Sequence, residues 1–152
     1  VALAESSWLK RHVPKVPTAA QILADHFWPG PLTMVLEIEK GQLPHLIDDR
    51  GTLALRVPDH PMTLELIRSL GRSIALTSAN IHGQPECTTA EGVRQEFEAD
   101  VAVVLDGGPS PAGVPSTIVE VLENRRPRIL RQGALRREDI VTSIPDLQER
   151  TT

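Results

Sequence analysis

The sequence predicts an α/β fold of the α+β type, in which helices flank a twisted mixed sheet. Two observations point to it. In the middle of the chain, short apolar runs with strand character alternate with amphipathic segments of helical spacing. Near the end, strand-like runs at 116–121 and 127–131 flank a turn at 123–126, which predicts a hairpin. Strands joined through helices tend to run parallel and hairpin strands run antiparallel, so the sheet should be mixed.

The first two helices are predicted from their start and stop signals. Thr18 and Gln21 have the spacing of a capping box, which starts the first helix. Asp59 is placed to cap the second helix, which has Pro61 in its first turn and Gly71 at its end. Both segments then continue with apolar residues at helical intervals.

The strands are predicted from short apolar runs that end at polar turn residues or proline. The run 74–77 ends in Thr, and the run 101–105 is apolar throughout. Between them, Thr88 and Glu91 again have capping-box spacing and start a third helix. The predicted elements are, in order, helix 18–27, strand 32–38, loop 39–50, strand 52–57, helix 61–70, strand 74–77, helix 88–97, strand 101–105, loop 106–115, strands 116–121 and 127–131, helix 137–144 and a frayed tail after Pro145.

The length and composition of the chain suit one globular domain over 1–152. The net charge is −4, which argues against wrapping of RNA or DNA through its phosphates. Cys87 is the only cysteine, so no disulfide and no cysteine zinc site can form within the chain. The sequence contains no signal-peptide pattern and no apolar run of membrane-spanning length, and we expect a cytoplasmic protein.

Known catalytic motifs are absent, and the candidate residues are polar side chains at strand ends and in glycine-rich loops. The chain has no HExxH, P-loop, GxSxG or GxGxxG pattern, and its five histidines lack metal-ligand spacing. Arg56 lies inside an apolar strand, where a cation needs a partner. Either Arg56 forms an internal ion pair, for example with Asp48 or Asp49, or it binds an anion.

Each of the other candidates also has a structural alternative. Ser78 and Asn80 can bind a ligand or cap a local turn. The loop 106–115 can offer backbone N–H groups to an anion or can serve only as a connection. The remaining candidates, which can contact a ligand or serve only the strand that carries them, are Thr52, Ser116, Thr117 and Arg131.

Six short motifs occur in one order along the chain. They are Phe-Trp-Pro-Gly-Pro-Leu-Thr at 27–33, Leu-Arg-Val-Pro-Asp-His-Pro at 55–61, Thr-Ser-Ala-Asn-Ile-His-Gly at 77–83, Asp-Gly-Gly at 106–108, Val-Pro-Ser-Thr-Ile-Val at 114–119 and Leu-Arg-Gln-Gly at 130–133. In this order the motifs resemble the YrdC-type family of L-threonylcarbamoyladenylate synthases. The resemblance covers 20–141 and implies a sheet folded around a deep cavity that holds ATP and threonine.

The resemblance implies a nucleotidyltransferase that joins L-threonine, bicarbonate and ATP. The amine of threonine and bicarbonate give a carbamate, whose carboxylate attacks the α-phosphate of ATP and releases pyrophosphate. The product, threonylcarbamoyl-AMP, supplies a tRNA-modifying threonylcarbamoyl transferase complex. Magnesium is expected to accompany ATP, with the triphosphate supplying most of its ligands and no protein metal site assigned.

The resemblance also assigns binding roles. No catalytic residue is assigned, because adenylation depends on positioning and on stabilisation of charge. L-threonine is expected to contact Arg56 and Ser116. Glu86 is at a position that approaches the nucleotide in the family. The expected ATP contacts are Thr52, Ser78, Asn80 and Arg131.

One part of the family pattern is not found in this sequence. Family members carry Pro-Thr-(Asp/Glu)-Thr-x-Tyr-Gly-Leu and Lys-x-Arg elements, and we expect both upstream of Val1, in an N-terminal part of the domain that this chain lacks. Three alternatives stay open: a nucleotide-binding or double-stranded RNA-binding module with weak RNA affinity, an inactive fragment, and the carbamoyl-transfer domain of hydrogenase maturation proteins. The near-absence of cysteine counts against the last alternative.

Overall fold

A four-stranded mixed sheet forms the centre of the fold, which confirms the predicted fold class. The computed structural model describes residues 1–39, 43, 45–110 and 114–146. The strands are β1 (Leu32–Glu37), β2 (Thr52–Leu55), β3 (Thr117–Glu120) and β4 (Arg128–Arg131). Their order in the sheet is β2-β1-β3-β4, with β1 parallel to β3 and the other two pairs antiparallel.

The helices lie where the sequence predicts them, with one addition. Within the described residues they are a 3₁₀ helix (Ser6–Arg11), α1 (Thr18–Phe27), α2 (Pro61–Leu70), α3 (Ala90–Phe97) and α4 (Arg137–Ser143). The 3₁₀ helix was not predicted, because its six residues carry no capping signal and bury only Trp8 and Leu9. Gly71 ends α2 with a φ of 65°, as expected for a glycine at this position.

The capping residues differ from the predicted ones by one position at three helices. An N-cap residue has an extended backbone, and spacing alone does not show which of two neighbours adopts it. The structure uses Pro17 instead of Thr18, His60 instead of Asp59, and Thr89 instead of Thr88.

One face of the sheet forms the core together with α1, α2 and α4. Every second residue of β1 is fully buried, which is the alternation expected of a strand with one face in the core. The helices contribute apolar residues from one side each to the same cluster. The main buried residues of sheet and helices are Leu32, Met34, Leu36, Leu53, Leu55, Val119, Ile129, Leu23, Ile67 and Ile140.

Two predicted strands do not form. Ile74 makes a single bridge with Ala2, and the rest of the run 74–77 has no strand pairing. The run 101–105 has no strand pairing either, and Val103 is 72% exposed. A strand needs a neighbour that satisfies its backbone donors and acceptors, and in the described part of the chain only Ile74 has one, through its two hydrogen bonds with Ala2.

The chain groups into two compact units. The first combines Val1–Ala75 with Val114–Thr152 and holds the sheet, and the second is Leu76–Gly113 and holds α3. The single domain over 1–152 and the deep cavity stay predictions. Parts of three predicted segments lie outside the described residues: 40–42 and 44 of the first loop, 111–113 of the glycine-rich loop, and 147–152 of the tail.

Candidate functional site

The pairing register of the sheet places several candidate side chains on the face opposite the core. Successive residues of a strand point to opposite faces, and paired residues of neighbouring strands point to the same face. Thr33 of β1 pairs with Ile118 of β3, and Ile118 pairs with Arg131 of β4. Ser116 precedes Ile118 by two residues and therefore shares its face. We call this surface, defined by Thr33, Ser116, Arg131 and Arg56, the site face.

Arg56 continues the site face on the β2 side of Thr33. It follows Leu55, which pairs with the core residue Met34, so alternation along the chain directs its side chain away from the core, as it does for Thr33. Its backbone forms a bridge with Ala2. Its Nε donates a hydrogen bond to the Gly30 carbonyl at 2.9 Å. Burial lowers the pKa of the Arg56 guanidinium below its ordinary value. The charged guanidinium of Arg56 is therefore partly desolvated.

Arg56 does not form the alternative ion pair with Asp48, because Asp48 pairs with a different arginine. The Nε of Arg50 lies 2.8 Å from Asp48 Oδ2. In the described ranges of the chain, Arg56 forms no ion pair with Asp49 or with any other carboxylate. A half-buried guanidinium whose terminal N–H groups lack a partner there is suited to an anionic ligand.

Ser116 contacts two other residues of the site face. Its hydroxyl lies 2.8 Å from Thr33 Oγ1. The Nη2 of Arg131 donates to the Ser116 carbonyl at 2.9 Å and lies 3.4 Å from the Ser116 Oγ. The residue expected to contact threonine therefore touches the residue expected to contact ATP.

Thr117 holds the loop that follows Arg131. Its side chain is fully buried, and its Oγ1 donates to the Leu135 carbonyl at 2.9 Å. The same oxygen accepts from Gly133 N at 3.0 Å and from Leu135 N at 3.1 Å. A Cβ on Gly133 would lie 2.3 Å from the Pro115 carbonyl, so the loop approaches β3 too closely for any other residue. The Thr117 hydroxyl thus serves the protein itself.

A turn at Gly30 and Pro31 connects Arg56 to the start of β3. The Gly30 carbonyl accepts from Arg56, and the Pro31 carbonyl accepts from Thr117 N at 2.9 Å. A Cβ on Gly30 would lie 2.3 Å from the Phe27 carbonyl, which excludes a side chain there. The backbone of this turn therefore fixes the Arg56 side chain relative to the strand that follows Ser116.

Sequence reasoning assigned no role to Thr33, Gly30 or Gly133. For Thr33 a signal was present, because the alternation of β1 places it opposite the core residues Leu32 and Met34. For the two glycines no comparable signal exists, since their close contacts come from chain segments that the fold brings together.

Thr52 is the least accessible of the expected ligand contacts in the first unit, with 4% of its surface exposed. Its backbone N–H donates to Asp48 Oδ1 at 2.9 Å. This hydrogen bond is the main reason that the pKa of Asp48 is lowered to about 2, and hydrogen bonds from Arg50 add to it. The arrangement fixes the turn before β2, and the ATP contact of Thr52 stays a prediction.

The second unit contains the other expected ATP contacts, Ser78 and Asn80. The Nδ2 of Asn80 donates to the carbonyls of Ile81 at 3.0 Å and Gln84 at 3.1 Å. These bonds match the local-turn alternative for its amide nitrogen. The Asn80 Oδ1 is buried and has no hydrogen-bond partner among the described residues. Ser78 and Glu86 are both exposed.

A cavity of about 460 Å³ lies in another part of the first unit, between the start of α1, the turn after β3 and the end of α4. None of the expected ligand contacts lines it, so we do not place the site there. Within the described ranges, no cluster of His, Cys, Asp or Glu side chains could hold a metal ion. No helix in that part of the chain is long and apolar enough to cross a membrane.

Comparison with known proteins identifies relatives across most of the chain. The Sua5, YciO and YrdC family, described as telomere recombination, matches residues 1–133. A threonylcarbamoyl-AMP synthase of Bacillus subtilis is 38% identical over 141 residues, which is 92% of this chain and 40% of that protein. A threonylcarbamoyl-AMP synthase of Pyrococcus abyssi is 38% identical over 135 residues, 88% of this chain and 39% of that protein. The chain thus spans about two fifths of the length of these relatives.

Solved structures show the same fold. P. abyssi Sua5 complexed with L-threonine matches with a TM-score of 0.87 at 34% identity, over 97% of this chain and 44% of that chain. Escherichia coli YciO matches with a TM-score of 0.73 over 84% of this chain and 62% of that chain. The identity to YciO is 24%, so that likeness concerns the fold alone.

Proposed function

The chain belongs to the Sua5, YciO and YrdC family, and we propose that it carries the substrate-binding sheet of a threonylcarbamoyl-AMP synthase. The proposed reaction forms threonylcarbamoyl-AMP and pyrophosphate from L-threonine, bicarbonate and ATP. The names of the bacterial and archaeal relatives support this proposal. The complex of P. abyssi Sua5 with L-threonine supports it as well, because that ligand is one of the three proposed substrates.

The observation that carries the proposal is the contact between Arg131 and Ser116. The reaction requires an oxygen of the threonine carbamate to meet the α-phosphate of ATP. A residue that binds threonine and a residue that binds ATP must therefore lie side by side. Arg131 Nη2 is 2.9 Å from the carbonyl of Ser116 and 3.4 Å from its hydroxyl, and this contact supports the assignment of the two residues to neighbouring substrates. Positioning of this kind supplies much of the catalysis in phosphoryl and nucleotidyl transfer.

We assign the threonine end of the site to Arg56 and Ser116. The Arg56 guanidinium would bind the threonine α-carboxylate, because its Nε is already held by Gly30 and its terminal N–H groups remain for the ligand. The Ser116 hydroxyl would bind a second polar group of the same ligand. Bicarbonate would react with the threonine amine while the carboxylate is held.

We assign the ATP end to Arg131, with Thr52, Ser78 and Asn80 as further contacts. Arg131 would stabilise the negative charge that develops on the α-phosphate as pyrophosphate leaves. Ser78 offers an exposed hydroxyl and Asn80 an unpaired amide oxygen. The described residues provide no carboxylate cluster for magnesium, so no protein ligand is assigned to that ion. The product would pass to a tRNA-modifying threonylcarbamoyl transferase in the cytoplasm.

The proposal is tested by pyrophosphate release that depends on both threonine and bicarbonate. Because the relatives are longer, two proteins are assayed: the 152-residue chain, and the same chain preceded by the N-terminal segment of the B. subtilis relative. Omission of threonine or of bicarbonate provides the matched blank. The product is identified as threonylcarbamoyl-AMP by mass spectrometry.

Release by the longer protein that requires both small substrates supports the synthase. If only the longer protein releases pyrophosphate, the added segment supplies contacts that the reaction requires. No threonine-dependent release from either protein contradicts the proposal. RNA binding that weakens steeply with salt and needs no ATP would favour the nucleic-acid alternative instead.

A further inference from the structure

We propose that Thr33 is a positioning residue that orients the Ser116 hydroxyl toward bound L-threonine. The inference rests on the proposed function, since it concerns the ligand that Ser116 would contact. Neither the motif resemblance nor the relatives' names assign a role to Thr33. Its place on the site face, opposite the core residues of β1, is what draws attention to it.

In the described ranges of the chain, the side chain of Thr33 makes a single polar contact. Its Oγ1 lies 2.8 Å from the Ser116 Oγ, a full-strength hydroxyl hydrogen bond in a partly buried place. Thr33 sits within β1 and pairs with Ile118, so its backbone is fixed by the sheet on that side. Ser116 precedes β3, and the other contact of its hydroxyl is with Arg131 Nη2 at 3.4 Å. Thr33 is therefore the partner whose backbone is fixed by sheet pairing.

Either hydroxyl can donate in the bond between Thr33 and Ser116, and the inference concerns the arrangement in which Thr33 donates. A serine hydroxyl has one proton to donate and two lone pairs that accept. The Arg131 Nη2 can only donate, and it approaches the Ser116 Oγ at 3.4 Å while its shorter bond goes to the Ser116 carbonyl. If Thr33 also donates, both lone pairs of Ser116 face donors, and its proton is left for an acceptor on the ligand.

The ligand acceptor in this arrangement is an oxygen of L-threonine or of its carbamate. Carboxylate oxygens accept hydrogen bonds strongly, and a hydroxyl that already faces two donors presents its own proton to them. Without the Thr33 hydroxyl, Ser116 can rotate about χ1 and turn its proton to water. Thr33 therefore acts through Ser116 and does not itself touch substrate.

The test compares Thr33→Val, which removes only the hydroxyl, with Thr33→Ser, which retains it. Thr33→Val is expected to weaken L-threonine binding about five-fold, the usual effect of one hydrogen bond, and to leave the KM for ATP unchanged. Thr33→Ser is expected to restore threonine binding. Thr63→Val is the matched control, because the Thr63 hydroxyl is also half-buried but bonds His60 at the start of α2, outside the site.

A double substitution separates positioning from a direct contact. If Thr33 acts only through Ser116, the Thr33→Val, Ser116→Ala protein should bind threonine no more weakly than Ser116→Ala alone. Crystal structures of the single variant and the unsubstituted protein provide a readout that needs no ligand, namely the χ1 rotamer of Ser116.

The outcomes distinguish this inference from the proposed function. An unchanged Ser116 rotamer and unchanged threonine affinity in Thr33→Val, with normal threonine binding by the unsubstituted protein, overturn the inference alone. Additive losses in the double variant also overturn it, since Thr33 would then act on the ligand independently. All variants are made in the longer protein of the pyrophosphate assay. No threonine binding by that protein without substitutions overturns the proposed function and the inference with it.

Discussion

The Arg56 guanidinium is held through its Nε on the Gly30 carbonyl, and its terminal amino groups have no hydrogen bond to another described residue. Such a fork of N–H donors matches a carboxylate in two parallel hydrogen bonds. Partial burial strengthens the interaction, because the local dielectric is lower than that of water. At the scale of single residues, this is the physical basis for assigning the threonine carboxylate to Arg56.

We expect Arg56→Ala to raise the threonine requirement by about ten-fold or more, because a charge-assisted pair of hydrogen bonds is lost. Ser78→Ala should instead weaken ATP use and leave the threonine requirement nearly unchanged. For both variants, pyrophosphate release is measured while one substrate is titrated and the other is kept at a saturating concentration. Arg125→Ala is the control, an exposed arginine without an ion pair to another described residue. Equal effects of the two substitutions on both substrates would contradict this division of roles.

Thr117→Val tests the buried hydroxyl that holds the loop after β4. The substitution keeps the shape but leaves the N–H groups of Gly133 and Leu135 without their partner, while the Leu135 carbonyl keeps only the bond from Gln132 Nε2. We expect the free energy of unfolding to fall by about 2–4 kcal/mol, since an unsatisfied buried group costs about 1–3 kcal/mol. Urea denaturation measures it, with Thr117→Ser as the variant that retains the hydroxyl. Equal stability of the Val and Ser variants would show that the three bonds contribute little.

At the scale of elements, Glu120 at the end of β3 is joined to two arginines from neighbouring segments. The Nη1 of Arg50 lies 2.6 Å from one carboxylate oxygen, and the Nη2 of Arg128 lies 3.1 Å from the other. Glu120 is only 6% exposed, and a buried carboxylate needs such partners. Since Arg50 also pairs with Asp48, the ion pairs connect the turn before β2 to β3 and β4.

The lowered pKa of Asp48 makes this turn sensitive to acid. Its folded pKa is about 2, below the ordinary 3.8, because the Thr52 N–H and then Arg50 stabilise the charged form. Between these pH values the unfolded chain binds more protons than the folded one, so stability rises with pH through this window and levels off above it. The contribution of Asp48 is lost as the pH falls through its folded pKa.

We therefore expect Asp48→Asn to lower stability near neutral pH and to flatten the rise between about pH 2 and pH 4. Urea midpoints measured across pH 2–7 give both quantities. Asp49→Asn is the matched control, because this adjacent, exposed carboxylate has no hydrogen bond to another described residue. If the two variants show the same pH profile, the hydrogen bond to Thr52 does not carry the effect.

The elements that the sequence predicts correctly are those whose signals are local. The helix α2 has proline in its first turn and glycine after its end, and its bounds are as predicted. The strand β1 is a short, mainly apolar run that is preceded by Pro31. The runs 74–77 and 101–105 have equally apolar sequences, yet they form no strands because pairing depends on a second segment.

At the scale of the whole molecule, the site face joins residues that are far apart along the chain. Thr33, Arg56, Ser116 and Arg131 come from four different segments of the first unit. Their alignment follows from the order of the strands and from the register of each pair. For β4 the alignment depends on a register shift: Ile129 pairs with the core residue Val119, and the shift between Val119 and Ile118 sets Arg131 opposite Ile118. The correct register is favoured because it buries Leu32, Met34 and Leu55 on the other face.

The sequence by itself determined the family, the fold class and most of the expected ligand contacts, because motifs, capping signals and apolar periodicity are written in neighbouring residues. It left open whether Arg56 pairs with an aspartate or binds an anion, and it gave no role to Thr33. Only the tertiary structure excluded the pair with Asp48, by placing Asp48 against Arg50, and only it set the Thr33 hydroxyl 2.8 Å from Ser116. The anion contact of Arg56 stays a prediction. The physical reason is that ion pairs and hydrogen bonds depend on distances between side chains, which are set here by the turn before β2 and by the pairing of β1 with β3.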